Sequence, residues 1–362
     1  MYKIYIKVVK AIISINNKVI FVIMALTGVI ALMFFMPEIA IELNETLDKL
    51  DNDGFKNCIS TFTDINFLIN KFIKIDKNWI IWPMFIIFIL CIIVLIMKFV
   101  YKNKELVDKV IIGHSSMSKV QFIANTNSDY KVEEINLIDD MKDITTNYEQ
   151  IKFAIKSQDK FVEEFKDKIN SKYDYGYMGI AHTPLILRMG SQIGDELAIT
   201  LFHKYRTGNT RVFKELNKND DYYKINISME LLDRDSSELL VGLSTTNIIK
   251  YEELKILEPD NKNIIIFSCE ELGFDVITSK NQVEDYVQYI MYNIRKVVKS
   301  KRITKIHMVL STSVAMTFAL GQAISENNDP KVIIYNFDIN STKKYTWGIE
   351  LFKNYNECLV IN

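Results

Sequence analysis

Ile303 to Gln322 reads ITKIHMVLSTSVAMTFALGQ, and this stretch decides the fold. It is apolar and β-branched from Ile303 to Leu310, turns on Ser311-Thr312-Ser313, and continues with helical periodicity to Ala319-Leu320-Gly321-Gln322. A short buried run that hands over to a hydroxyl-rich helix start is how a parallel strand meets its helix in an open α/β sheet. The first turn of such a helix leaves backbone N–H groups unpaired and carries a partial positive charge, so the junction suits phosphate.

A similar phrase, GIAHTPLILRMGSQ, runs from Gly179 to Gln192. Setting Met189-Gly190 on Leu320-Gly321 places Pro184 to Leu187 opposite Ala315 to Phe318, at an offset of 131 residues. Two copies of one supersecondary unit predict two half-domains of similar fold facing each other. The competing reading is chance similarity between two buried helices.

The 362 residues leave room for two domains or for one domain with a membrane anchor. Mean hydropathy is slightly positive although 25% of the residues are charged, so apolar residues must be concentrated somewhere. The net charge of −1 supplies no global basic field of the kind that drives non-specific nucleic-acid binding. No DNA or RNA polymer is expected as a partner. Cys58, Cys91, Cys269 and Cys358 form no CxxC pair, and His114, His182, His203 and His307 lack ligand spacing. Neither a metal site nor a disulfide framework is signalled.

The apolar excess falls in two runs, Val19 to Met36 and Trp79 to Met97. The first is 18 uncharged residues ended by Pro37 and Glu38. The second opens on Trp79 and Trp82 and is closed by Lys98, the residues that membrane interfaces select. Both read as transmembrane helices; a cleaved signal peptide is the alternative for the first, but no small-x-small cleavage pattern follows it. Lys3, Lys7, Lys10 and Lys18 precede the first run, and Lys98, Lys102, Lys104 and Lys109 follow the second. The positive-inside rule puts both termini in the cytoplasm of a multi-pass protein, with residues 37–78 as an extracytoplasmic loop. Lys71, Lys74 and Lys77 in that loop count against this orientation.

From about Leu106 the composition is that of a soluble α/β protein. Candidate strands are Leu106 to Gly113, Lys131 to Ile138, Tyr173 to Ala181, Ala198 to Tyr205, Tyr222 to Ser228, Leu239 to Ser244, Asn263 to Cys269, Ile303 to Leu310 and Val332 to Phe337. Candidate helices are Lys142 to Asn170, Pro184 to Gln192, Asn247 to Leu257, Asn281 to Lys299 and Ser313 to Ser325. Strands alternating with helices predict βαβ units and a parallel or mixed sheet.

Candidate ligand residues lie at strand ends. Gly113-His114-Ser115-Ser116, His182-Thr183-Pro184 and Ser311-Thr312-Ser313 offer hydroxyls and backbone donors to a phosphate, or serve the fold alone as helix caps. Phe267-Ser268-Cys269 and Tyr335-Asn336-Phe337 put an aromatic beside polar groups, as stacking and edge recognition of a base require, or as core packing at a sheet end would. Arg188 on an otherwise apolar helix needs an anionic partner, either a protein carboxylate or a bound phosphate. The basic cluster Arg295, Lys296, Lys299, Lys301, Arg302 and Lys305 reads as a helix end complementing its dipole. No Walker loop, GxGxxG, HExxH or GxSxG is present, and no catalytic residue is assigned.

Tyr177 to Leu185 through Gly190, then Phe202-His203-Lys204-Tyr205-Arg206, Ile306 to Ser311 through Ala319-Leu320-Gly321-Gln322, and Val332 to Tyr335 together resemble the SAVED domain of effectors in the bacterial anti-phage systems called CBASS. The resemblance covers roughly residues 106–362. It implies two fused CARF-like, Rossmann-like halves, about 106–215 and 216–362, behind an anchor and effector region at 1–105. It also implies a cyclic di- or trinucleotide ligand made after infection, no cofactor, ligand-induced homo-oligomerisation, and disruption of the bacterial inner membrane that ends the host cell. A membrane-anchored enzyme that cleaves cyclic oligonucleotides is the alternative, with His114 and His182 as its catalytic suspects.

Overall fold

The protein is described from a computed structural model. The structure describes residues 77–101, 108–126, 129–142, 148–206 and 212–362, with positions 15, 16, 19, 20, 23 and 24 near the N-terminus. The chain divides into two compact units, Met1–Leu106 and Val107–Asn362.

In the first unit α1 spans Lys77–Tyr101, 25 residues with Pro83 inside and Lys98 in the last turn. At 1.5 Å per residue it is about 37 Å long, and a bilayer's hydrocarbon core is about 30 Å thick. Its apolar side chains are open rather than packed: Ile86, Leu90, Ile93 and Ile96 are all exposed. Among the described residues no helix qualifies as long and apolar enough to cross a membrane. The sequence of α1 holds no charge from Trp79 to Met97. The expected helix at 19–36, apart from helical positions 19, 20, 23 and 24, and the expected loop at 37–78, up to the start of α1, lie outside the described residues.

The second unit is built from two sheets. The first holds β1 (Lys109–Ser115), β2 (Ala124–Asn125), β3 (Tyr130–Asn136), β4 (Asp174–Ile180), β5 (Ile199–His203) and β6 (Phe213–Glu215), in the order β2-β6-β5-β4-β1-β3. Helices α2 (Tyr148–Asp167) and α3 (Thr183–Ile193) belong to it in sequence. The second sheet holds β7 (Ile225–Leu231), β8 (Glu238–Ser244), β9 (Asn263–Cys269), β10 (Lys305–Ser311), β11 (Lys331–Tyr335), β12 (Trp347–Glu350) and β13 (Leu359–Ile361), in the order β13-β12-β11-β10-β8-β9-β7. Its helices are α4 (Lys280–Lys301) and α5 (Val314–Ala323).

Four parallel strands in each sheet follow one plan. β1 lies between β3 and β4 with β5 beyond, and β8 lies between β9 and β10 with β11 beyond. The central registers match residue for residue. Lys109↔Asp174 through Ser115↔Ile180 in the first sheet correspond to Glu238↔Lys305 through Ser244↔Ser311 in the second. β4 and β10 are both seven residues long and start 131 positions apart, the offset at which the two sequence phrases align. An antiparallel strand then closes each side, β6 on β5 and β12 on β11.

One hydrophobic core joins the lobes, and α3 and α5 form its centre. Leu185, Leu187 and Met189 of α3 and Met316, Phe318 and Leu320 of α5 are fully buried in it, together with the inward residues of both sheets. Outer cores lie on the far sheet faces, around Phe202 and Phe213 in the first lobe and around Leu240, Leu254 and Ile264 in the second. All three are made of residues within 107–362, so among the described residues the cores of this unit draw on no side chain of the first.

The crossing of α3 and α5 depends on two glycines. A Cβ on Gly190 would lie 2.3 Å from the Phe318 carbonyl oxygen, and one on Gly321 would lie 2.3 Å from the Leu187 carbonyl oxygen. Phe318 is the counterpart of Leu187, again 131 residues on, so the contact is the same one seen from both sides. The helices pass backbone to backbone, and no side chain fits there.

Two expectations are corrected. The segment Asn247 to Leu257 is not an α-helix: only Tyr251–Leu257 is helical and it is a 3₁₀ turn, which inserts Leu254 and Leu257 into the outer core. The expected helix from Lys142 begins at Tyr148 among the described residues.

Candidate ligand-binding site

All the central strands end on the same side of their sheets, and there the two lobes build matching clamps. In the first lobe the N–H groups of Ser116 and Met117 donate to the Ile180 carbonyl at 3.1 and 3.3 Å. In the second, Thr245 and Thr246 donate to the Ser311 carbonyl, both at 2.9 Å. Ile180 and Ser311 are again 131 residues apart. Each clamp ties the loop after the first strand to the residue that leads into the next helix.

A side-chain bridge lies over each clamp. Ser116 Oγ and His182 Nδ1 are 2.8 Å apart, and the His182 backbone N–H donates to the same Ser116 Oγ at 2.8 Å. The hydroxyls of Thr245 and Thr312 are 2.7 Å apart. Ser311 Oγ accepts from the Asn247 N–H at 3.0 Å. His182 and Ser313 occupy equivalent N-cap positions of α3 and α5. Ser313 Oγ accepts from the Met316 N–H, while His182 makes no side-chain cap bond. Thr183 opens α3, and Pro184 in the first turn removes a donor that a helix start would leave unpaired anyway.

The lobes meet at this end. A Cβ on Gly179 would come within 3.2 Å of Val314, the first residue of α5. The His182 ring lies 6.2 Å from the ring of Trp347 in the opposite lobe. At the end of β11, the Asn336 N–H donates to the Trp347 carbonyl at 2.9 Å. Phe337 is 40% exposed, meets Tyr345 edge-on at 5.5 Å and has the Lys344 ammonium over its ring at 5.8 Å.

The imidazoles are neutral. Burial, reinforced by the nearby His182, lowers the pKa of His114 to about 3. Burial lowers that of His182 to about 4 against the opposing pull of Asp338. His114 Nδ1 is 2.9 Å from the Tyr177 hydroxyl, and its Nε2 is buried without a hydrogen-bond partner among the described residues. A buried orphan of this kind costs about 1–3 kcal/mol. Ser115 is also buried, with its hydroxyl 3.4 Å from the Ile135 carbonyl. Hydroxyls, neutral imidazoles, two helix starts and a partly exposed aromatic ring together suit a ligand that combines phosphates with bases.

His114, Ser115, Ser116, His182, Thr183, Ser311, Thr312, Ser313, Asn336 and Phe337 therefore lie at or beside the paired strand ends. Several other candidates do not serve there. Arg188 is held by a protein carboxylate: its Nε and Nη2 donate to the two oxygens of Asp159 at 2.9 and 2.8 Å, and Nη2 also donates to the Lys353 carbonyl. Phe267 is fully buried and packs edge-on against Tyr289, so a base could stack on it only if the core opened. Cys269 faces the Tyr286 hydroxyl at 3.1 Å in the same core, and Ser268 Oγ donates to its neighbour's carbonyl. Tyr335 turns to the outer face, its hydroxyl 2.9 Å from His307 Nδ1. Thr245, Asn247, Asp338 and Trp347 also stand at these strand ends and were not among the candidates; Thr245 and Trp347 are buried and Asn247 is exposed. Each is tied to its partner only by the fold, 67 residues from Thr245 to Thr312 for example.

A cavity of about 1330 Å³ lies at the other end of α3 and α5. Six carboxylates, among them Asp159, Asp195 and Glu326, line it against five cations, which does not favour a polyphosphate. Among the described residues no group of three or more His, Cys, Asp or Glu side chains is placed to hold a metal ion.

The sequence matches the family described as SAVED, the SMODS-associated and fused to various effectors sensor domain, over residues 158–351, more than half of the chain. The chain belongs to this family. No curated protein matches it significantly. Among solved structures it is similar to the Acinetobacter baumannii Cap4 SAVED/CARF-domain containing receptor with the cyclic trinucleotide 2'3'3'-cAAA, at 11% identity and a TM-score of 0.46. That match covers 81% of this chain and 65% of the receptor chain. The same receptor with 3'3'3'-cAAA gives 11% identity and a TM-score of 0.45, covering 90% of this chain and 77% of that one. The Moraxella osloensis Cap4 receptor gives 11% identity and a TM-score of 0.39, covering 97% and 84%.

Proposed function

We propose that this chain is a signal-gated membrane effector of an anti-phage system of the CBASS type. The unit Val107–Asn362 binds a cyclic di- or trinucleotide at the paired strand ends, and residues 1–105 are the effector, two membrane-spanning helices with both termini in the cytoplasm. The observation that carries the reading is the duplication of the strand-end clamp, Ser116 with His182 and Thr245 with Thr312, under two helix starts that the fold brings together. A cyclic ligand presents repeated phosphates and bases around a ring, and two facing clamps meet it from both lobes. Membership of a sensor family fused to various effectors supports the same reading.

Binding gathers copies of the chain, the membrane helices cluster, and the inner membrane fails. The ligand drives this only to the extent that it binds the assembled state more tightly than the free one. The chain's 25-residue apolar α1 supports a membrane location. The test is titration calorimetry of residues 107–362 with a panel of cyclic di- and trinucleotides, the Cap4 ligands included, followed by dye release from vesicles that hold the full chain. Saturable binding and ligand-dependent release are expected; failure of every ligand to bind overturns the reading.

A second reading has one observation in its favour. A neutral imidazole hydrogen-bonded to a serine hydroxyl, His182 on Ser116, is the arrangement a nucleophile and its base adopt. A membrane-anchored enzyme would then cleave the cyclic ligand, and recovery of linear products after incubation would establish it.

A further inference from the structure

Helix α4 buries Val283, Tyr286, Ile290, Ile294 and Val297 in the shared core. Its outer side carries Tyr292, Lys296 and Lys299, spaced by four and three residues and so aligned in one stripe, with Tyr289 at the margin, partly exposed and partly covering Phe267. Tyr292 is 67% exposed. Beside the stripe runs a groove of about 660 Å³. Its floor is apolar, from Val287, Met291 and Ala323, and its rim is cationic, from Arg295, Lys296 and Lys299. No carboxylate lines it. Arg295 is neutralised by a bidentate pair with Asp329, whereas Lys296 and Lys299 have no carboxylate partner among the described residues. The net charge of the groove therefore comes from those two lysines.

We infer that this groove and stripe form a docking surface for an anionic phospholipid bilayer, with a lipid phosphate at Lys296 and Lys299. Free phosphate would use the cations and leave the apolar floor and the tyrosines without a role. A lipid headgroup uses all three, since tyrosine settles at the boundary of a bilayer and lysine stems lie along apolar surface while their ammonium groups reach phosphate. The basic end of α4 then serves more than the helix dipole. The inference rests on the membrane reading for its setting alone, because its test needs neither residues 1–105 nor the cyclic ligand.

The experiment is flotation of residues 107–362 with phosphatidylcholine vesicles, with and without phosphatidylglycerol, at low salt. Flotation with the anionic vesicles only is expected. Lys296→Glu with Lys299→Glu lowers it about tenfold, either one alone about threefold and Tyr292→Ala about threefold, while Lys331→Glu, the same change as either single reversal at an exposed site on the β11 strand, leaves it in place. These side chains are all on the surface, so the variants keep the parent's melting curve. No flotation, equal flotation with neutral vesicles, or an equal loss in Lys331→Glu overturns the inference. Displacement by millimolar inorganic phosphate would assign the groove to a soluble phosphoryl ligand and also overturns it.

Discussion

The two lobes have the same frame and different chemistry. Central registers, helix starts and clamp carbonyls repeat at one offset, yet the first lobe fills its clamp with Ser116 and His182 and the second with Thr245 and Thr312. At the N-cap, Ser313 pairs with its own helix while His182 turns away and faces Trp347 and Asp338 of the other lobe. Backbone geometry is thus held fixed by the duplicated fold, and the side chains that meet a ligand are free to differ. On the proposed reading, a ring held here would meet an imidazole on one side and hydroxyls on the other.

The shared frame is broken most severely at the helix crossing. Gly190→Ala and Gly321→Ala each push a methyl group into a carbonyl oxygen and are expected to cost about 2–4 kcal/mol, equally in the two lobes. Gly273→Ala, where a Cβ meets nothing within 4 Å, should cost almost nothing. Denaturant melts of the three variants decide it, and a large difference between Gly190 and Gly321 would break the symmetry. Next comes Asp159→Ala, which leaves the Arg188 guanidinium buried and unpaired in the first lobe only. A loss of about 3 kcal/mol is expected, with Arg188→Met recovering part of it, as paired melts would show.

The pH response sharpens the contrast between the lobes. His114 and His182 are held neutral in the fold at pKa values of about 3 and 4, well below the ordinary 6.5. Between pH 6.5 and 4 the unfolded chain binds more protons than the folded one, so stability falls as the pH drops through that window and is intact above it. His307 in the second lobe, lowered to about 4 by burial against the pull of Glu238, adds to the same loss. Melting temperature followed from pH 7.5 to 4 should fall by several degrees, and His182→Gln should flatten the curve. A curve unchanged in His182→Gln would contradict the neutral assignment. The smallest expected effects on stability are those of Thr312→Val and Thr245→Val, which remove a single hydroxyl bridge worth about 1 kcal/mol.

Much of this was legible in the sequence. The strand from Ile303 and the phrase at Gly179 gave the βα unit, its duplication and the offset, because buried strands and a glycine-dependent helix contact leave a pattern in residue type. The strands β6, β12 and β13 were not legible, being three to four residues long and set by pairing with distant partners. Site residues were legible only as far as strand ends locate them. Phe267 and Phe337 look alike in sequence, aromatic next to polar. One packs under Tyr289 and the other is open, and only the covering helix α4 makes the difference. Arg188 announced an anionic partner, but Asp159 on α2 lies 29 residues away and could not be told from a phosphate.

The central claim, a ligand held between unlike clamps on a duplicated frame, is tested most directly by calorimetric titration of residues 107–362 and its His182→Ala and Thr312→Val variants with the cyclic oligonucleotide that binds the parent most tightly. The account predicts one site per chain, an affinity loss of about tenfold or more for His182→Ala and a smaller but measurable loss for Thr312→Val. Undiminished affinity in both variants, with the fold intact by melting, would place the ligand elsewhere and contradict it.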